Sequence, residues 1–433
     1  MTTVGFAGMT HLGIVSSAAV AQKGFKTVCF DNSKKLIKEL TVGKLPIVEP
    51  DLDDLISANF ATQEFSSDIA SLEQCDLIYV APDIATDDAG NSDTSTINQL
   101  VEQIADLLKP TTTMVILSQV EPGFTRALNH PTNLAHRYYQ VETLVFGRAV
   151  ERATQPERFI IGCNDPNQPL CPHLEKVLSA FDCPIFPMRY ESAELAKISI
   201  NFCLVSSISV ANTLAEICET IGADWSEIMP ALKLDRRIGH YSYLNPGLGI
   251  AGGNLERDLT TIERIGHEKR TDTGVVTAWK QNSLYRKNWA ARTIQTQLLN
   301  ANPNSTVAIW GLAYKENTHS IKNSASIATI SQISDARLHL HDPVVSGDVV
   351  KHSNAAFFES PLEALHAAVA LMILTPWDEY KQISMADIIS RMKGRMIIDP
   401  YRVLAATPEQ LNTVEYYTLG RKSTHTSNGG VKC

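Results

Sequence analysis

Short apolar runs alternate with longer helical segments along the chain, starting at the amino terminus. Thr3–Ala7 predicts a buried strand, and a glycine-rich turn separates it from a helical segment at Ile14–Lys23. A second buried strand is predicted at Lys26–Phe30. Further strand-like runs lie at 77–80, 114–117 and 159–161. Strands that alternate with helices predict a parallel sheet with helices on both of its faces.

A long helix is predicted in the middle of the chain, because the segment from Ser192 to Ile221 contains neither proline nor glycine. Its apolar residues recur at helical spacing, namely Leu195, Ile198, Phe202, Val205 and Ile208. A helix of about 30 residues is roughly 45 Å long, which suits a spine between two domains. Gly222 is the predicted end of this helix.

A second α/β block follows this helix. Its strand-like runs are 305–310, 337–341, 368–374 and 396–398. The pattern predicts an α/β fold in which two Rossmann-like, doubly wound parallel-sheet domains are joined by the long central helix. The predicted divisions are a cofactor domain at 1–190, a central helical region at 191–290, a second α/β domain at 291–420 and a disordered tail at 421–433.

Composition and charge limit the kinds of partner that the chain is predicted to have. Hydrophobic residues make up 44% of the chain and charged residues 20%, as in ordinary globular proteins. The net charge of −9 and the lack of a basic run disfavour nucleic-acid binding. No unbroken apolar stretch reaches the roughly 18–20 residues that span a bilayer, so no membrane partner is predicted. The chain runs directly into a strand, which predicts no signal peptide and a cytoplasmic location.

The eight cysteines are scattered along the chain. They form no C-x-x-C pair and no cysteine–histidine pair at zinc spacing, so no metal site is predicted. Most lie in apolar runs and are predicted to be buried free thiols, which agrees with a cytoplasmic location. They are Cys29, Cys75, Cys163, Cys171, Cys183, Cys203, Cys218 and Cys433.

The first turn has the spacing of a dinucleotide-binding loop, with Thr10 in place of the middle of three glycines. Gly8 allows the tight turn and Gly13 the close packing of helix on strand. The Thr10 hydroxyl is a possible phosphate donor. Asp31 lies 18 residues after Gly13, at a strand end, where a carboxylate accepts from ribose hydroxyls and repels a 2′-phosphate. NAD is therefore the predicted cofactor, and an ordinary βαβ unit with a solvent-facing aspartate is the alternative.

Ordered motifs from about residue 3 to about residue 403 resemble the UDP-glucose/GDP-mannose dehydrogenase family. Pro246–Asp258 resembles the family's P-G-x-G-x-G-G-S-C-F-P-K-D signature. Further similar segments are Pro46–Pro50, Val120–Arg126, Glu142–Gly147, Pro156–Gly162, Ala193–Asn201, Arg237–Gly239, Gly311–Ser324 and Leu374–Asp378.

This resemblance implies the chemistry of an alcohol dehydrogenase. Lys197 and Asn201, four residues apart on one helix, would stabilise an alkoxide, and Asp258 would be the base. Without the resemblance, Lys197 and Asn201 read as the polar face of a long helix. Glu142 is the first of two family glutamates.

The resemblance also implies the binding residues. For NAD they are Gly8, Thr10, His11, Leu12, Gly13, Asp31, Gln119 and Lys322. For a nucleotide-linked sugar they are Tyr243, Asn245, Gly252, Lys315, Arg402 and Arg237, the last across the interface of an expected homodimer. Lys322 stands where the family has an arginine, so it keeps the charge and loses the planar fork.

Four further positions depart from the family pattern. Asn254 replaces the cysteine that forms a thioester in the family, and Phe146 replaces the second glutamate. Gln119 and Ala81 replace threonines near the cofactor. A carboxamide cannot carry an acyl group, because its nitrogen lone pair is delocalised. The favoured expectation is a two-electron oxidation that yields one NADH per substrate.

Several alternatives stay open from the sequence. The chain could oxidise a hydrated aldehyde without a covalent intermediate, or act on a different alcohol in a reshaped pocket. It could be a catalytically silent homologue that binds NAD and a nucleotide sugar. It could also be a dehydrogenase of a non-sugar phosphate or phosphonate alcohol.

Overall fold

The computed structural model describes residues 2–87, 90–107, 109–128 and 136–423. Contacts within the chain divide it into two compact units, the first ending at Ile200 and the second beginning at Asn201. The predicted tail lies mostly outside the described residues. Its first residue, Arg421, does not fit the predicted disorder, because it forms a β-bridge with Asp224.

The first unit is built on one large sheet. Its strands are β1 (Thr3–Ala7), β2 (Lys26–Phe30), β3 (Gln63–Ser66), β4 (Leu77–Val80), β7 (Thr113–Ile116), β8 (Arg137–Gln140), β9 (Phe159–Cys163) and β10 (Ile185–Arg189), and β5 (Ala85–Thr86) and β6 (Ser92–Asp93) form a separate hairpin. Its α-helices are α1 (His11–Gln22), α2 (Lys34–Thr41), α3 (Leu52–Asn59), α4 (Ser95–Ala105), α5 (Phe124–Ala127), α6 (Ala149–Thr154) and α7 (Pro172–Ser179). Short 3-10 turns lie at Phe60–Thr62 and Ile69–Gln74.

The strand order places the cofactor turn at a topological switch point. The order is β10-β9-β8-β7-β4-β1-β2-β3, and every neighbouring pair is parallel except β8 with β9. The chain therefore leaves β1 in one direction towards β2 and returns on the other side at β4. Ligands of such sheets bind outside the carboxyl ends of the strands at this reversal. Gly8 directly follows β1 at this point.

The long helix α8 (Tyr190–Ile221) runs from the first unit into the second. Its most apolar 18-residue stretch has a mean hydropathy of 1.5, and 39% of that stretch is buried. By length and composition alone it could cross a membrane, although the sequence analysis identified no apolar stretch of that length. The expectation counted unbroken apolar runs, whereas α8 mixes apolar residues with small polar ones. The core helix of a soluble protein passes the same test.

The second unit carries a smaller, fully parallel sheet with the order β13-β12-β11-β14-β15-β16. Its strands are β11 (Thr306–Trp310), β12 (Arg337–His341), β13 (Ala355–Phe357), β14 (Ala370–Ile373), β15 (Met396–Ile398) and β16 (Glu415–Tyr417). Its helices are α9 (Trp225–Leu234), α10 (Asn254–Lys269), α11 (Gly274–Lys287), α12 (Trp289–Ile294), α13 (Ala325–Gln332), α14 (Pro361–Ala364), α15 (Asp378–Lys381), α16 (Met385–Arg391) and α17 (Pro408–Leu411), with a π-turn at Gln295–Leu299 and a 3-10 turn at Gly347–Val349. The predicted fold class, two parallel-sheet α/β domains and a long central helix, is confirmed.

A buried histidine closes β12. His341 is 3% exposed, and its Nδ1 lies 2.9 Å from the Tyr380 hydroxyl. Burial lowers the pKa of His341, because it disfavours the charged imidazolium. The unfolded chain therefore binds the proton first as the pH falls below about 6.5. The stability contributed by the neutral ring is present above that unfolded-state pKa and is lost as the pH falls towards the lower folded-state pKa.

We expect His341→Gln to weaken the pH dependence of stability between pH 7 and pH 5. The variant cannot take up the extra proton that favours the unfolded chain of the wild type. Urea unfolding followed by tryptophan fluorescence gives the midpoint at each pH. His366→Gln is the control, because His366 is exposed. If both variants lose stability with acid as steeply as the wild type, His341 does not carry the effect.

Candidate active site

The turn after β1 requires both of its retained glycines. Gly8 has a φ of +96°, and a Cβ there would lie 2.8 Å from the backbone nitrogen of Pro82. A Cβ on Gly13 would lie 1.9 Å from the carbonyl oxygen of Gly8. His11 and Leu12 open α1 and are buried. The chain therefore passes from strand to helix in a turn that only glycine permits at two positions.

The hydroxyl of Thr10 bonds within the protein. It donates to the carbonyl oxygen of Ala81 at 3.2 Å and accepts from the backbone nitrogen of Asp83 at 3.0 Å. The single hydroxyl proton of Thr10 therefore points to the carbonyl oxygen of Ala81. The sequence analysis had expected this hydroxyl to donate to a phosphate. Thr10 and Ala81, two departures from the family pattern, contact each other and link the turn to the segment after β4.

Asp31 follows β2 and faces the same turn. Its Oδ2 accepts from the backbone nitrogen of Met9 at 2.9 Å, and its Oδ1 accepts from that of Ser33 at 2.8 Å. Each carboxylate oxygen takes one of these bonds and keeps a lone pair that can accept a ribose hydroxyl. The turn and this carboxylate therefore fit NAD. Gln119, half-buried, lies in the loop after β7.

Glu49, which the sequence analysis left without a role, anchors the start of α1. Its buried carboxylate lies 2.8 Å from His11 Nε2 and accepts from the backbone nitrogens of Gly147 at 2.9 Å and Ala149 at 3.3 Å. The ring of Phe146 lies 4.3 Å from the His11 ring, centroid to centroid. Phe146 thus covers the imidazole with an apolar ring where the family has a carboxylate. Glu49 lies in the segment Pro46–Pro50, whose resemblance to a family motif could have pointed to it.

Lys197 and Glu142 are brought together in the first unit. The Lys197 ammonium donates to the carbonyl oxygen of Glu142 at 2.8 Å and lies 3.4 Å from its Oε2. Lys197 is 9% exposed. The Glu142 carboxylate also accepts from the backbone nitrogen of Leu144. The Glu142 carboxylate therefore lies within ion-pair distance of an ammonium that is almost fully buried.

Asn201 and Asp258 are brought together in the second unit. Asn201 Nδ2 donates to Asp258 Oδ2 at 2.5 Å, and Arg257 Nε donates to Oδ1 at 3.2 Å. All three side chains are buried. Arg257 was missed by the sequence analysis, although it directly precedes Asp258 in the signature. Its guanidinium compensates the buried carboxylate and fixes the carboxylate's orientation.

The signature loop ends where α10 begins, at Asn254, which is exposed. A Cβ on Gly252 would lie 3.2 Å from the Tyr314 ring. The backbone nitrogen of Gly252 donates to the carbonyl oxygen of Lys322 at 3.1 Å, and Asn323 Nδ2 donates to the Gly252 carbonyl at 2.8 Å. These contacts hold the loop and therefore fix where position 254 lies within the second unit.

None of the thiols that the structure describes takes the place of the missing cysteine at position 254. Cys203 is exposed on α8, two residues after Asn201, so it points about 200° away around the helix. Cys183 is half-buried in the first unit. The prediction of buried free thiols is confirmed for Cys29, Cys75, Cys163, Cys171 and Cys218. Cys433 lies outside the described residues.

A cavity of about 560 Å³ opens beside the signature loop. Tyr243 and Asn245, predicted to bind the substrate, line it together with Tyr314 and Tyr401. The Lys315 ammonium lies 5.8 Å from the centroid of the Tyr314 ring. A volume of this size, with aromatic walls and a few polar groups, suits a ligand of nucleotide size.

Two predicted substrate arginines are bound elsewhere in the second unit. Arg402 donates to Ser226 Oγ at 2.7 Å and to Asp224 Oδ1 at 2.8 Å. Arg237 pairs with Asp235 in its own turn, and its side chain is 89% exposed. The structure therefore differs from the sequence analysis at Arg402, because the carboxylate of Asp224 competes for its guanidinium. The role of Arg237 across an interface stays a prediction.

The parallel sheet, its glycine turn and Asp31 define the class of dinucleotide-dependent oxidoreductases with a Rossmann-type domain. The chain belongs to the UDP-glucose/GDP-mannose dehydrogenase family. It matches the NAD binding domain of this family over residues 2–181, the central domain over 191–283 and the UDP binding domain over 308–406. The resemblance found in the motifs is thereby confirmed, as are the NAD cofactor and a nucleotide-sugar substrate as a class.

Relatives align along nearly the whole chain. A putative UDP-glucose 6-dehydrogenase of Bacillus subtilis, YtcA, is 27% identical over 413 residues, which are 92% of this chain and 94% of the relative. TuaD, a UDP-glucose 6-dehydrogenase of the same organism, is 26% identical over 97% of this chain and 94% of its own length. A UDP-glucose dehydrogenase structure from Pyrobaculum islandicum superimposes with a TM-score of 0.86 at 22% identity, covering 98% of both chains. This last likeness concerns the fold alone.

Proposed function

We propose that the chain oxidises the alcohol of a nucleotide-linked sugar by two electrons and releases an aldehyde or ketone. The single observation that carries this proposal is Asn254 at the position of the family's thioester-forming cysteine. A carboxamide at the start of α10 cannot hold the aldehyde covalently. Without that capture, the first oxidation product is free to leave.

The buried polar residues would supply proton and charge handling. Asp258 accepts the alcohol proton, directly or through a water, and Asn201 and Arg257 hold its carboxylate in place. Lys197, four residues before Asn201 on α8, stabilises the developing alkoxide charge. NAD, when bound, accepts the hydride of the reaction. Asp31 and the Gly8–Gly13 turn are the residues that hold it.

The surroundings of Phe146 support a site that disfavours hydrolysis. Its ring lies against His11, so no carboxylate at this position orients a water. Glu142 is retained, but its carboxylate is occupied by Lys197 and by the backbone of Leu144. A released carbonyl product fits these surroundings better than an acid does.

A catalytically silent homologue is the second candidate. The observation in its favour is that the retained groups bond to one another, Lys197 to Glu142 and Asn201 to Asp258. A panel of UDP- and GDP-sugars, followed by NADH absorbance and by thermal shift, separates the candidates. Turnover with a sugar supports the dehydrogenase. Thermal stabilisation without turnover supports the silent homologue, and no response to any sugar favours the non-sugar alcohol.

The expected homodimer and the cytoplasmic location stay predictions. Four apolar residues of α8 are 40–70% exposed and recur at helical spacing. They are Val210, Leu214, Ile217 and Ile221. This stripe supports a self-association surface on the helix, and light scattering of the purified protein gives the mass that decides it.

A further inference from the structure

The substrate cavity contains a lysine to which the sequence analysis assigned no role. Lys233 lies in the last turn of α9 and lines the cavity, as does His240. It is half-buried, and its ammonium has no hydrogen-bond or ion-pair partner among the residues that the structure describes. Its positive charge is therefore available to a ligand in the cavity.

Other walls of the cavity suit the nucleoside part of a substrate. Tyr241, Tyr243, Tyr314 and Tyr401 present aromatic rings, and Asn245 presents an amide. Aromatic rings stack on a nucleobase, and an amide forms hydrogen bonds with the polar edge of the base. Neither group neutralises the negative charge of a diphosphate. Among the described residues that line this cavity, Lys233 is the one lysine or arginine.

One of the two arginines that the resemblance assigns to the substrate, Arg402, already bonds within the protein. Both terminal nitrogens of Arg402 donate within the protein, one to Ser226 and the other to Asp224 and to the carbonyl oxygen of Leu419. Asp224 is also the N-terminal cap of α9, accepting from the backbone nitrogen of Ser226 at 2.9 Å. Redirecting Arg402 to a ligand would break these bonds, whereas Lys233 has no such bond to any residue in the described part of the chain.

We propose that Lys233 provides the cation that holds the diphosphate of the nucleotide-linked substrate and so determines specificity for nucleoside diphosphates. This inference rests on the proposed function. Lysine binds phosphate as a point charge, and partial burial in an aromatic cavity strengthens the attraction relative to bulk water. His240, which lines the same cavity, adds a second group that can donate to a phosphate oxygen.

Isothermal titration of UDP and of uridine against four variants tests this assignment. We expect Lys233→Met to weaken UDP binding at least about tenfold and to leave uridine binding within about twofold, because uridine carries no phosphate. Lys233→Arg is expected to stay within about threefold of the wild type for UDP, since the charge is kept. Lys351→Met is the matched control, because Lys351 is exposed outside the cavity. Arg402→Met is expected to weaken UDP binding less than Lys233→Met does.

Four results overturn the proposal. If Lys233→Met binds UDP as the wild type does, or if Arg402→Met has the larger effect, another group holds the diphosphate and the proposed dehydrogenase function stands. If Lys233→Met weakens the binding of uridine and of UDP equally, Lys233 shapes the cavity and does not bind the phosphate charge. If the wild type binds no uridine or guanosine diphosphate or their sugars, the proposed function itself fails together with this inference.

Discussion

Replacing Asp258 by asparagine is expected to lower kcat by about a hundredfold to ten-thousandfold. The buried carboxylate is the proposed proton acceptor, and an amide of the same shape cannot take up the proton. Substrate binding is expected to change much less, because the aromatic cavity that holds the nucleotide does not include Asp258. Steady-state kinetics on the best substrate of the sugar panel, with UDP affinity measured alongside, check this result.

The matched control for this variant is Glu263→Gln, on the same helix α10. Glu263 pairs with Lys280 at 2.6 Å on the surface, so its loss removes a carboxylate without touching the buried cluster. Asp258→Asn also leaves Arg257 with a neutral partner, which costs stability. Retained UDP affinity shows that the variant is folded. A folded variant with wild-type kcat would remove Asp258 from the chemistry.

Replacing Asn254 by cysteine is expected to add a second oxidation that stops after one turnover. The introduced thiolate would add to the carbonyl carbon of the aldehyde and form a thiohemiacetal. A second NAD, when bound, would accept a hydride from that adduct, and the adduct's hydroxyl proton would pass to a base or to solvent, which leaves a thioester on the protein. A thiol at a helix amino terminus has a lowered pKa, which favours the reactive thiolate. Because Phe146 leaves no carboxylate to activate water, the thioester should persist.

Two observables report this result together. NADH should show an extra burst equal to the enzyme concentration, and intact-protein mass spectrometry should show an acyl adduct. The double variant Asn254→Cys, Phe146→Glu should hydrolyse the adduct and reach two NADH per substrate in the steady state. Asn254→Ala is the control, and this variant should form one NADH per substrate. No burst and no adduct in a folded, active Asn254→Cys variant would mean that position 254 does not reach the carbonyl carbon.

Several buried strands were predictable, because short runs with recurrent apolar residues identify them without tertiary information. The predicted bounds of Thr3–Ala7, Lys26–Phe30 and Arg337–His341 agree with β1, β2 and β12. The edge strands β10 and β13 were missed, because half-exposed strands carry no continuous apolar run. The antiparallel pair of β8 and β9 was also missed, since relative strand direction depends on connections that periodicity does not encode.

The candidate site could be predicted from the sequence only where a residue lies in a family motif. The resemblance of α8 and of the signature to the family pattern gave Lys197, Asn201 and Asp258 as candidates, but it gave no partner for any of them. The pairing of Arg402 with Asp224 joins residues 178 positions apart, and no local pattern reports it. The sequence also gave no reason to select Lys233. A lysine at the end of a helix cannot be distinguished from an ordinary surface charge until the cavity that it lines is known.

The ratio of NADH formed to substrate consumed tests the central claim most directly. A nucleotide sugar that the wild-type protein turns over would be followed to completion, with NADH measured by absorbance and the product by mass spectrometry. We expect one NADH per substrate and a product two hydrogen atoms lighter than the substrate. Two NADH per substrate and a carboxylate product would contradict this expectation.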